Sequence, residues 1–136
     1  RQMCIRDRDI TNVPKESMMP NFDVEFFEKS DGTFPAEEFI LSQDVKMQAK
    51  LFRLLELLEV NGNNLREPYS KSLDDGIFEI RAKQGNNITR VLYFFVIGRK
   101  IILTNGFTKK TQKTPPGEIE LSKKYRSEYE QRKENL

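Results

Sequence analysis

With 136 residues, 37% apolar and 32% charged, the chain suits one soluble domain that buries a core without disulfides or metal. Histidine is absent, which excludes Ser-His-Asp and Cys-His enzymes and a conventional zinc site, and the lone cysteine excludes an internal disulfide and points to a reducing, cytoplasmic setting. The formal charge of +2 conceals an asymmetry: residues 81–117 carry eight Lys or Arg and no acid, whereas residues 1–80 carry ten basic and sixteen acidic side chains.

Residues 1–20 hold no sustained period and contain Pro14 and Pro20, so they are expected to form a disordered or non-native leader, with Met18 or Met19 a reasonable start. The single domain is then 21–136. Charges near the N-terminus are not followed by a hydrophobic stretch, and no apolar run is long enough for a bilayer, so neither a secretory signal nor a membrane partner is expected. Residues 22–28 alternate Phe22, Val24 and Phe26 with Asp23 and Glu25, the pattern of a half-buried strand, and Asp31-Gly32 turns the chain.

Pro35 suits the first position of a short helix reaching Leu41. Ser42 or Asp44 can cap a second helix to Val60, whose Met47, Leu51, Leu54, Leu55 and Leu58 fall at helical spacing; Asn61-Gly62 closes it. Residues 63–76 read as a polar connection ending in the turn Asp74-Asp75-Gly76. Three strands follow, at 77–83, 88–97 and 100–107, with turns at 84–87 and 98–99. The middle strand is apolar on both faces and should be central. Thr114 with Pro115 opens a last helix, on which Tyr125 and Tyr129 provide a packing face. The predicted order is β-α-α-β-β-β-α: an α+β domain with a small, mostly antiparallel sheet and its helices on one face.

The acid-free block overlaps these strands and is suited to a polyanion such as nucleic acid. A hairpin turning at 84–87 makes Arg81 and Arg90 cross-strand neighbours, a repulsive pair unless something anionic stands between them. Either both point to solvent or one pairs with Glu79, or together they clamp a phosphate, which guanidinium groups bind bidentately. Lys109, Lys110 and Lys113, interspersed with Thr108 and Gln112, form a loop that is either simply solvated or wraps a phosphodiester. Lys83, Arg99 and Lys100 sit at turns and would add general attraction to RNA. Tyr93 is expected in the core with its hydroxyl at a rim partner. No acidic cluster at ligand spacing appears, so no metal is expected.

The runs I-F-E-I-R (77–81), T-R-V-L-Y-F-F (89–95), I-I-L-T-N-G-F-T-K-K-T-Q-K-T-P (101–115) and E-I-E-L-S-K-K-Y-R-S-E-Y (118–129) resemble the RelE/ParE superfamily of bacterial toxins, and within it the phage-derived, HigB-like branch. The resemblance implies the RelE-like fold and a type II toxin that cleaves mRNA, often on the translating ribosome, and is neutralised by a helix-turn-helix antitoxin. It implies cofactor-free and metal-independent attack of a ribose 2′-hydroxyl on the adjacent phosphate. Carried over, Arg81 and Arg90 would grip the scissile phosphate, Lys109 and Lys110 would stabilise charge or pass protons, and Lys113 would contact flanking RNA. Asn105 stands where the branch often has His, Ser122 where it often has Ala, and Phe78 and Glu79 where better-studied relatives have lysines. The general base is left open between Tyr93 and Lys109. The ParE branch shares the fold but poisons gyrase, so gyrase inhibition, or a basic binding module without turnover, is the alternative.

Overall fold

The computed structural model describes residues 21–110 and 112–134; the expected leader at 1–20 lies outside the described residues. Strand β1 (Asp23–Phe26) leads to helix α1 (Pro35–Leu41) and helix α2 (Val45–Asn61), then a 3-10 turn at Gly62–Asn64. Strands β2 (Ser70–Asp74), β3 (Ile77–Gln84), β4 (Asn87–Val96) and β5 (Lys100–Lys109) and helix α3 (Pro116–Glu134) complete the chain. The sheet order is β1-β5-β4-β3-β2, antiparallel throughout except that β1 runs parallel to β5. This is the expected α+β domain, with the doubly apolar strand β4 at its centre.

Local chemistry sets the helix limits. Pro35 occupies the first position of α1, with Glu37 and Glu38 in its first turn. The Asp44 carboxylate caps α2 by accepting from the Met47 N–H at 2.7 Å. Gly62 ends α2 with φ 52, and a side chain there would collide with the Phe22 ring.

Two expectations are corrected. The polar connection contains β2, which pairs with β3 along Ser70↔Ile80 and Lys71↔Glu79. Its sequence, Ser-Lys-Ser-Leu-Asp, lacks apolar alternation because an edge strand in water needs little of it. The helices also cover both faces rather than one. Helices α1 and α2 carry the chain from edge β1 to edge β2, packing Ile40, Leu51, Leu55 and Leu58 on Val24, Ile80, Val91, Tyr93, Ile101 and Leu103. Helix α3 covers the other face, where Tyr125 joins Ile77, Leu92, Phe94, Ile102 and Phe107. A central strand apolar on both sides demands this, since a bare face would leave Leu92 and Phe94 in water.

Helix α3 is fastened at its middle and near its C-terminal end. Lys123 Nζ lies 2.7 Å from Asp74 Oδ2, Arg126 Nη2 lies 2.8 Å from Asp75 Oδ2, and Arg132 donates to the Glu28 carbonyl at 2.8 Å. Within the sheet, the β4–β5 register shifts between Val91 and Tyr93, a bulge on the β5 side that places Gly106 opposite Val91. A Cβ at Gly106 would collide with the Phe39 ring of α1 and stand 2.9 Å from the Arg90 carbonyl oxygen. Gly106→Ala is therefore expected to lower the unfolding free energy by about 1–3 kcal/mol, measured by urea denaturation.

Candidate functional site

Strand register brings Arg81 directly opposite Arg90, as the 84–87 hairpin requires. Glu79, two residues before Arg81, points to the same face. Arg81 Nε lies 2.9 Å and Arg90 Nε 3.9 Å from Glu79 Oε2, contacts of charge rather than of aligned hydrogen bonds. Glu79 and Arg90 are completely shielded from solvent, and the Arg81 side chain retains 13% exposure. The Arg90 guanidinium also lies over the Phe107 ring, 5.4 Å from its centroid. Burial lowers the Arg90 pKa from its ordinary value; the Glu79 charge opposes that shift and the Arg81 charge adds to it. A guanidinium so placed stays protonated. Two cations and one carboxylate leave a residual positive charge, directed outward through Arg81.

Residues 112–114, ahead of α3, fold over this cluster. Arg81 Nη2 donates to the Gln112 carbonyl at 2.5 Å and Arg90 Nη1 to the Lys113 carbonyl at 3.4 Å. The Thr114 hydroxyl donates to Glu79 Oε1. Thr114 thus holds the buried carboxylate instead of opening the helix, which starts at Pro116. Lys109, Lys110 and Lys113 are exposed. Lys83, also exposed, lies opposite Ile88, which in turn lies opposite Lys109, so Lys83, Arg81 and Lys109 share this end of the α3 face.

Arg99 and Lys100 are not brought into this group. Six residue steps along β4 separate Arg90 from Val96, the partner of Lys100, roughly 20 Å at the usual strand rise. There Lys100 Nζ pairs with Glu25 Oε2 at 3.4 Å and Arg99 lies over the Phe22 ring. Tyr93 faces the opposite way, onto the α2 side, where it stacks on Phe78 with centroids 5.6 Å apart. Its hydroxyl meets Ser70 Oγ at 2.6 Å, the rim partner expected of it. Burial raises the Tyr93 pKa to about 12 against the smaller opposing effect of Ser70. Tyr93 is therefore on the wrong face, and too weak an acid, to serve as a general base beside Arg81.

Asn105 and Ser122, the two departures from the branch pattern, meet at one side chain. Thr104 Oγ1 lies 2.7 Å from Asn105 Oδ1 and 2.7 Å from Ser122 Oγ, all three buried. Asn105 Nδ2 donates to Glu118 Oε1 at 3.1 Å. One contributor escaped sequence reading entirely: Tyr69, an aromatic beside Pro68 in the supposed polar connection, is 47% exposed and lies on the rim of the same face. Its only sequence signal was an aromatic ring in a stretch otherwise polar. Among the described residues no group of acidic, Cys or His side chains is placed to hold a metal ion, and no helix is long and apolar enough to cross a membrane.

The family model described as "Phage derived protein Gp49-like (DUF891)" matches residues 38–127, which span from α1 into α3 and contain every residue of the cluster and its loop. No curated protein matches the chain.

Two measurements check the geometry. Glu79→Gln removes the carboxylate that stands between the fully buried Arg90 and the partly exposed Arg81, and is expected to cost about 3–5 kcal/mol in urea unfolding. For Tyr93, the folded pKa exceeds the unfolded one, so its contribution is complete below pH 10 and is lost as pH rises to about 12. Tyr93→Phe should flatten the loss of stability across that interval and remove the last phase of the tyrosinate absorbance titration.

Proposed function

The chain belongs to the phage-derived Gp49-like family, a family of RelE-like toxins, and from that premise we propose that it is the toxin of a type II toxin–antitoxin pair, of HigB-like type, which cleaves mRNA. The observation that carries this reading is the Arg81–Glu79–Arg90 cluster, capped by the Gln112 and Lys113 carbonyls, with Lys83 and Lys109 exposed on the same face and Lys110 and Lys113 exposed in the adjoining segment. The reaction that suits it is attack of a ribose 2′-oxygen on the neighbouring phosphorus, with departure of the 5′-oxygen. The products are a 2′,3′-cyclic phosphate and a 5′-hydroxyl. Negative charge accumulates on the non-bridging oxygens during the displacement, and fixed cations stabilise it more than they stabilise the ground state.

Roles divide by exposure. Arg81, partly open and already oriented by Glu79, grips the scissile phosphate. Arg90, fully buried, acts as a positioning residue: it holds Glu79 and the Lys113 carbonyl and so sets Arg81 and the loop. Lys109 and Lys110 stabilise charge and pass protons, the 2′-hydroxyl giving up one and the 5′-oxygen receiving one. With Tyr93 on the other face, Lys109 is the general base of this scheme. Lys113 and Lys83 contact flanking RNA, and Arg99 and Lys100, at the far end of the sheet, contribute only long-range attraction. The partners are a helix-turn-helix antitoxin, mRNA and the ribosome, and the compartment is the cytoplasm.

Purified protein added to a translation reaction should yield mRNA fragments whose 5′ ends can be mapped. Arg81→Ala and Lys109→Ala should each cut about 10²–10³-fold more slowly, while Arg99→Ala and Lys100→Ala should cut nearly as wild type. Equal cutting by Arg81→Ala and Lys109→Ala would remove the site. Intact mRNA together with trapped, cleaved DNA in a supercoiling assay would replace the nuclease reading with gyrase inhibition.

A further inference from the structure

Beside the cluster lies a cleft of about 370 Å³ lined by Pro68, Tyr69, Arg81, Lys83, Ile88 and Gln112, within the roughly 300–1,000 Å³ typical of small-ligand sites. Its wall is a tyrosine held by main-chain bonds on both sides. The Tyr69 N–H donates to the Arg66 carbonyl at 3.0 Å, and the Tyr69 carbonyl accepts from the Arg81 N–H at 3.0 Å. The next residue, Ser70, is pinned through its hydroxyl to Tyr93 on the opposite face, so alternation turns the Tyr69 ring toward Arg81. Among the described residues no other ring and no cation covers it. A half-exposed aromatic, the open edge of a guanidinium, an exposed lysine and an apolar floor at Ile88 thus converge on one hollow.

We infer that this cleft takes one nucleotide of single-stranded RNA, its base stacked on Tyr69 and an adjacent phosphate held by Lys83 and Arg81. The inference rests on the reading of the protein as an RNA-directed toxin and gives that reading a base-recognition subsite. Every base has a π face, so stacking here favours unpaired RNA with little regard to sequence. The polarity of the walls fits a nucleotide better than a purely anionic ligand, which would have no use for Tyr69 and Ile88. It also fits better than an apolar peptide, which would strand Lys83 and Arg81.

The test measures binding apart from cleavage. A fluorescent single-stranded RNA carrying 2′-O-methyl groups throughout cannot undergo 2′-hydroxyl attack, and its affinity can be read by anisotropy with wild type, Tyr69→Ala, Tyr69→Phe and Lys83→Ala. Tyr69→Ala should weaken binding about 5- to 100-fold, in line with loss of one stacked base. Tyr69→Phe should retain wild-type affinity, because the ring and not the hydroxyl does the stacking. Lys83→Ala should weaken binding and flatten its dependence on the logarithm of salt by about 0.7, one phosphate contact on a single strand. An abasic oligonucleotide of equal charge should bind wild type about as weakly as the normal one binds Tyr69→Ala. Unchanged affinity of Tyr69→Ala, or equal affinity of wild type for the abasic strand, overturns the proposal and leaves only electrostatic attraction. Cleavage of mRNA by the same wild-type preparation separates the two readings. Cutting with Tyr69-independent binding sinks the subsite alone, whereas Tyr69-dependent binding without cutting sinks the nuclease and keeps the subsite.

Discussion

The arrangement of the basic face depends on one electrostatic constraint: two arginines placed opposite each other on adjacent central strands must be separated by a carboxylate. The 84–87 hairpin fixes Arg81 against Arg90, and the alternation of β3 delivers Glu79 to the same side. Without Glu79 the pair would repel in a setting where Arg90 has no water to screen it and Arg81 has little. With it, the guanidinium groups are oriented, and their remaining N–H donors turn to the carbonyls of the segment above. Thr114 completes the enclosure from that segment. Strand register, carboxylate and loop are therefore one unit, and the position of the exposed lysines follows from it.

Much of this was legible in the chain because the physical signals were strong. The Leu stripe of α2, its cap at Ser42 or Asp44, the 84–87 hairpin and the doubly apolar β4 are read directly from period and turn chemistry, and the structure selects Asp44. What was not legible depended on tertiary placement. Edge strand β2 carries no alternation, since only Ser70 is buried along it. The covering of both faces followed from β4 but needed the partner of its second face to be identified as α3. In sequence Arg90 stayed open between solvent, a pairing with Glu79 and a phosphate clamp, and Thr114 read as a helix opener; only the closing segment reveals that one is fully enclosed and the other holds Glu79. Charge composition indicated a basic face, but not that Arg99 and Lys100 stand at its opposite end beside β1.

The two departures from the branch pattern are likewise explained by contact. An Asn at 105 and a Ser at 122 would each be hard to justify alone in a buried seam between β5 and α3. Together they share Thr104, whose single hydroxyl proton goes to Asn105 Oδ1 or the Leu92 carbonyl while Ser122 donates to its oxygen. Thr104 gives each of them a partner and Glu118 receives the Asn105 amide, so the helix docks on the bulged strand without a stranded polar atom at that point. The bulge that makes room for this seam also admits Phe39 over Gly106 on the reverse face.

The arginine clasp on the loop has a consequence for how such a face can diversify. Arg81 and Arg90 reach the carbonyl oxygens of Gln112 and Lys113, atoms that every amino acid possesses. At these two bonds the path of the segment is thus specified by its main chain, whichever side chains stand at 112 and 113. Substitutions at these two positions can change the chemistry that the face exposes while these two bonds keep the backbone on its course. The same protein scaffold can in this way drift toward new partners without rebuilding its centre.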